Sequence, residues 1–151
     1  MDPVAPFLVE PPAQRLAPWR VVVDGERTGG MVLGEAELAP RTPGPARHVH
    51  TREDEGLFVF SGVLTAEVGE ERFEVGPGAF LFMPRGLPHT FANLHDEPVR
   101  GVGLINPPGL TRFFAEMAEY VAATAGEPDH ETILEINARY GVFPAEGPAL
   151  L

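Results

Sequence analysis

The sequence predicts an all-β domain, a sandwich or small barrel, closed by one or two C-terminal α-helices. Three observations carry this. Short apolar segments rich in β-branched and aromatic residues follow one another from Trp19 to about Pro107. Glycine and proline, 17 of each, are spread between these segments, as suits a turn-rich β protein. Beyond residue 107 the apolar spacing lengthens to that of a helix.

Residues 1–18 read as an arm, because Pro3, Pro6, Pro11, Pro12 and Pro18 forbid a regular helix and favour extended conformations. Its Phe7, Leu8 and Val9 are apolar enough to dock on the body of the chain or on a neighbouring subunit. The barrel is expected over 19–107. "WRVVV" (19–23) is a short strand, and "GERTGG" (25–30) is turn chemistry. "MVLGEAELA" (31–39) alternates, with Glu35 and Glu37 on one face and Gly34, Ala36 and Leu38 on the other. "RTPGPA" (41–46) is a loop. "GLFVFSG" (56–62) and "VLTAEVG" (63–69) are strands joined tightly, and "ERFEVGPG" (71–78) is a strand ending in a turn. "AFLFMPRG" (79–86), "PHTFAN" (88–93) and "VRGVGLI" (99–105) complete the set. Residues 108–151 form a helical segment. Leu110, Phe113, Phe114, Met117, Ala118 and Val121 make one apolar helix face, with Pro108 near its start and Gly126 near its end. A second helix is expected to begin at Asp129 as N-cap, with Ile133, Ile136 and Tyr140 on one side and Gly141 following. Both helices are expected to cover the outside or one end of the barrel.

A length of 151 residues suits one domain. The absence of cysteine rules out disulfides and thiolate sites. A net charge of -11, with no helix-turn-helix segment, argues against nucleic acid and anionic membranes as partners. No apolar run reaches the length of a membrane span. "MDPVAPFLVEPP" has neither a basic region nor a long apolar region, so the expected location is the cytoplasm.

The chemistry begins at "HVHTREDEG" (48–56). His48 and His50 lie two apart, so in a strand they share a face and can reach one metal ion. Thr51–Asp54 can turn the chain, and a hairpin neighbour would return a carboxylate beside the imidazoles. Strand alternation favours Glu55 as the third ligand, with Asp54 as runner-up and Glu53 in the turn. His89, at the start of a later apolar strand, is a fourth candidate. Three imidazoles and a carboxylate suit iron, manganese, nickel, cobalt, copper or zinc better than calcium or magnesium. Leu57 and Val59 share the face of Glu55, and Phe91 shares that of His89, so these three are candidate lining residues of a substrate pocket. Phe58 and Phe60 then face outward.

These residues resemble the cupins. The first motif of that family is matched by His48-Val49-His50, four residues, Glu55, six residues and Gly62. The second is matched by Gly78, five residues, Pro84-Arg85-Gly86, two residues, His89, three residues and Asn93. The usual upstream glycine is displaced, since only three residues separate Gly44 from His48. With "GERTGGMVLGEAEL" and "NPPGLTRFF", the resemblance extends over roughly residues 25–118, to the bacterial single-domain cupins called quercetin-dioxygenase-like. It implies a small antiparallel double-stranded β-helix of the jelly-roll type, commonly a homodimer, holding one divalent transition metal on His48, His50, Glu55 and His89.

The resemblance further implies a dioxygenase-type oxidoreductase acting on a small aromatic or flavonoid-like molecule, with dioxygen as a second reactant. In that reading Glu55 doubles as ligand and general base for the substrate hydroxyl. A non-catalytic cupin that binds a small ligand or metal, and a metal-dependent isomerase, are the alternatives. Gly62, Gly78, Pro84, Gly86 and Asn93 are expected to serve turns and packing. Arg85 is expected in a surface salt bridge, and His95 and His130 at the surface.

Overall fold

A computed structural model describes residues 5–10 and 19–151. Most of the expected arm therefore lies outside the described residues. Its part at 5–10 has no regular structure, and the ring of Phe7 receives the Arg27 guanidinium 3.6 Å from its centroid, so this part rests on its own chain.

The strands are Trp19–Val23 (β1), Val32–Leu38 (β2), Thr42–Pro43 (β3), His48–His50 (β4), Asp54–Ser61 (β5), Leu64–Val68 (β6), Glu71–Val75 (β7), Phe80–Met83 (β8), His89–Asn93 (β9), Val99–Asn106 (β10) and Val142–Pro144 (β11). All pair antiparallel. One sheet runs β1-β2-β10-β5-β8, the other β11-β4-β9-β6-β7 with β3 also on β9. The predicted all-β architecture is thus observed, with apolar side chains of both sheets meeting between them. Leu57, Val59, Leu81, Met83 and Val99 of the first pack with Leu64, Ala66, Val68 and Val75 of the second. Alternation along β5 does what the sequence pattern requires: Leu57 and Val59 are buried, while Phe60 turns outward.

Two local readings need correction. The expected turn at 25–30 contains one turn of helix, Gly25–Thr28 (α1), because the Asp24 carboxylate accepts from the Glu26 N–H at 2.8 Å and Gly29 closes it at φ 70. The expected hairpin between the His48 strand and the Glu55 strand does not form. Both edges of β4 are already taken, by β9 and by β11, a strand the sequence pattern did not predict. Residues 51–53 instead carry the chain across to the other sheet, and the Thr51 N–H and hydroxyl both donate to the Gly141 carbonyl at 2.9 Å.

The helices are Thr111–Ala123 (α2) and His130–Arg139 (α3). Asp129 is the α3 N-cap as expected, accepting from the Thr132 N–H at 2.8 Å. The α2 apolar stripe is used only in its first half. Leu110, just before the helix, is fully buried with Val32, Ile105 and Val142, and Phe113 and Phe114 pack against that cluster. Val121 is exposed. Glu116 ties α2 to α3 through Arg139 and the Tyr140 hydroxyl. No helix among the described residues is long and apolar enough to cross a membrane.

Candidate metal centre

β4 and β9 meet with His48 opposite His89, which places three imidazoles on the inner face of one sheet. β5 brings Glu55 to them from the facing sheet, as the first inward side chain of a strand that continues with Leu57. Nε2 of His48 is 2.9 Å from Nε2 of His50, and a Glu55 carboxylate oxygen lies 3.5 Å from His50 Nε2 and 3.4 Å from His89 Nε2. One donor atom from each of the four residues falls within 4.8 Å of all the others.

The donors are oriented from behind. His48 Nδ1 lies 2.7 Å from the Ala46 carbonyl and His89 Nδ1 lies 3.0 Å from the Leu87 carbonyl. A carbonyl only accepts, so each Nδ1 carries the proton and each Nε2 turns a lone pair inward. His89 Nε2 is then buried without a hydrogen-bond partner among the described residues. Two Nε2 atoms at 2.9 Å, one of them already a bare lone pair, need a shared proton or a cation between them. Ligands ~2.1 Å from one ion stand ~3.0 Å apart at right angles and ~3.4 Å apart at tetrahedral angles. The three short spacings match those values, and with all four donors inside 4.8 Å the residues fit a divalent transition metal.

Electrostatics agree. Burial lowers His50 to about 4, only partly offset by the Glu55 charge, and burial lowers His48 also. Both imidazoles are therefore neutral at neutral pH, the form that binds metal. Burial by itself pushes Glu55 up, but a protonated imidazole of the cluster beside it outweighs burial and holds the carboxyl below its ordinary range.

The other acids of the opening stretch are engaged elsewhere. Asp54 accepts from the Arg85 backbone N–H at 2.9 Å and from its guanidinium at 3.0 and 2.6 Å, which holds the carboxyl down to about 2. Glu53, expected in an ordinary turn, is only 3% exposed, and burial raises its carboxyl. It packs where a Cβ on Gly109 would fall 2.0 Å from its Oε1. Asn93 is a packing residue, with its amide within 3.1 Å of the carbonyls of Leu38, Ala39 and Glu97. Gly62, Gly78 and Gly86 hold positive φ of 76, 83 and 79, as turns require. His95 contacts Glu74 at 2.7 Å.

The four residues stand at one side of a cavity of about 710 Å³, which His48, His50 and Glu55 help to line. Leu57 and Phe91 line it too. Val59 does not: it lies deeper, in the barrel core, and borders a separate small void of about 20 Å³. Much of the wall comes from residues that sequence reasoning missed. Trp19 lies over Gly34 and Gly103, opposite each other on β2 and β10, and its ring centroid is 5.6 Å from that of Phe114. A Cβ on either glycine would fall 2.2 or 2.7 Å from the indole. The paired glycines were the available signal for a ring. Phe113, His130, Ile133, Leu134, Asn137 and Val142 also belong to the wall. His130 is exposed as expected, yet borders the cavity.

A family model described as Cupin domain matches residues 34–104, which contain all four clustered side chains. No curated protein sequence matches the chain. TT1209 from Thermus thermophilus is 25% identical at a TM-score of 0.52, covering 58% of this chain and 79% of that one. An uncharacterized conserved protein with a double-stranded β-helix domain from Klebsiella pneumoniae is 23% identical at 0.53, covering 66% and 84%. A sugar phosphate isomerase from a cupin superfamily, of Silicibacter pomeroyi, is 22% identical at 0.51, covering 58% and 59%. The family match covers just under half of the chain, over the barrel strands, and the solved structures share its fold.

Proposed function

We propose that the chain is a metal-dependent cupin enzyme, a dioxygenase-type oxidoreductase whose substrate is a small, largely apolar aromatic molecule. The observation that carries this is the pairing of a buried three-histidine, one-glutamate cluster with a cavity of about 710 Å³ walled by Trp19, Leu38, Leu57, Phe91, Ile105, Phe113 and Phe114. Such a wall recognises rings by area and leaves orientation to a few polar groups. Arg47, the one arginine of the wall among the described residues, is tied to Glu67 at 3.3 Å and to the Gly69 carbonyl, so it is not a free counter-charge for a phosphorylated or dianionic substrate. That disfavours the isomerase alternative for sugar phosphates.

His48, His50, Glu55 and His89 would hold one divalent transition metal. When bound, that ion would supply Lewis-acid chemistry for a substrate hydroxyl and dioxygen. The chain's own residues set the rest. Ala46 and Leu87 carbonyls fix the imidazole tautomers. Glu55, with its side chain only 11% exposed, is the one carboxylate of the cluster and accepts the substrate hydroxyl proton on a carboxylate oxygen. The aromatic wall keeps water from the reacting face. The test is oxygen uptake with a flavonol panel by protein stripped and reloaded with iron, manganese, nickel, cobalt or copper. Turnover with one of these is expected; tight flavonol binding without uptake for any of them assigns a ligand-binding role instead.

A further inference from the structure

We infer that Asn137 of α3 is the substrate-positioning residue of this cavity, and that the substrate is an uncharged ring system carrying a second hydrogen-bonding oxygen besides the one at the histidine–glutamate cluster. The inference rests on the proposed reading of that cluster and names its substrate more closely.

α3 turns two faces to the molecule. Ile136 is buried against the body at 2% exposure, with Tyr140 beside the second apolar cluster. His130, Ile133, Leu134 and Asn137, at i, i+3, i+4 and i+7, border the cavity. Two members of an otherwise apolar face are thus polar. They stand seven residues apart, ~10 Å along the axis. Only Tyr140 and Gly141 separate α3 from β11, where Val142 pairs with His50. The Asn137 end of the helix is therefore the end near the cluster, and His130 stands at the outer end, exposed and next to Asp129.

The Asn137 side-chain amide makes no hydrogen bond to another described residue, although its backbone carbonyl accepts from the Tyr140 N–H at 3.1 Å. A half-buried amide facing an apolar cavity is poorly served by its surroundings, and it can both donate and accept. Arg47 is occupied by Glu67, so among the described residues Asn137 is the neutral polar side chain left without a protein partner at the inner end of the wall. A hydroxyl or carbonyl on a ring would satisfy it, and an unsubstituted ring would leave it unpaired.

The test is calorimetric binding of 2-naphthol and a panel of naphthalenediols to the zinc-loaded protein, where no redox turnover intrudes. At least one diol is expected to bind the natural chain about five- to tenfold more tightly than 2-naphthol, the value of one neutral hydrogen bond. Asn137→Leu should abolish that preference while keeping 2-naphthol affinity, and Asn137→Gln should restore part of it. Equal binding of naphthol and all diols by the natural chain, or an undiminished preference in Asn137→Leu, overturns the assignment and leaves the apolar-ring reading standing. If no naphthol binds at all, the proposed substrate class itself falls, and the assignment with it. Circular dichroism of each variant confirms that the fold is intact.

Discussion

Protonation of His50 offers a measurement of how tightly the cluster is built. In metal-stripped protein the folded site holds this imidazole at about 4, through burial, against about 6.5 in an unfolded chain. Between those values the unfolded chain binds a proton that the folded site refuses, so stability is present in full above pH 6.5 and is lost as the pH falls toward 4. At ~1.4 kcal/mol per pH unit the loss is bounded near ~3 kcal/mol. The side chain is only 5% exposed, so solvent screening takes little from that figure. Glu55, held below its ordinary range, acts in the same direction at lower pH. The assay is urea unfolding of the stripped natural chain and of His50→Gln from pH 7.5 to 4. Carboxylates elsewhere titrate in both and cancel. The stability advantage of the natural chain over His50→Gln should shrink by up to ~3 kcal/mol across the window. A difference that stays flat with pH would show that the imidazole is not desolvated by its neighbours and would remove the electrostatic argument for the centre.

Further outcomes follow from the same geometry. His89→Ala should lose metal retention, whereas Asp54→Ala should keep it, because Asp54 is committed to Arg85 outside the cluster; elemental analysis after dialysis decides, and metal loss in Asp54→Ala would reassign the acid. Trp19 is the only tryptophan of the chain and lines the cavity, so its emission should shift on addition of a bound ring compound. An unchanged spectrum at saturation, with binding confirmed by calorimetry, would place the ligand elsewhere. Gly34→Ala sets a methyl group 2.2 Å from the indole and should destabilise by ~1–3 kcal/mol while disturbing that emission. Stability equal to the natural chain would mean that the ring moves aside freely.

The centre was legible in the sequence as far as local rules reach. Alternation tells which face a side chain takes, so it grouped His48 with His50 and Glu55 with Leu57. It does not tell which strand lies beside which. Glu55 was therefore assigned to a hairpin neighbour of His50, when it reaches across from the opposite sheet. Asp129 was legible as a cap because capping is a contact within one turn of chain. Trp19, Phe114 and the inner face of α3 join the cavity through contacts separated by about a hundred residues, and no local pattern reports them. The three-residue β11 is too short for periodicity to register, yet it occupies the edge of β4 that the expected hairpin would have used.

The arrangement of the four side chains over two sheets has a mechanical side. Three come from β4 and β9 of one sheet and one from β5 of the other. An ion held by all four would be a rivet through the sandwich, and Glu55 would be the only shank passing into the second sheet. Cutting that shank by Glu55→Ala would leave a three-imidazole site able to keep an ion while the sheets regain independent breathing. Hydrogen exchange along β5 and β10 would then lose its sensitivity to metal, while β4 and β9 kept theirs.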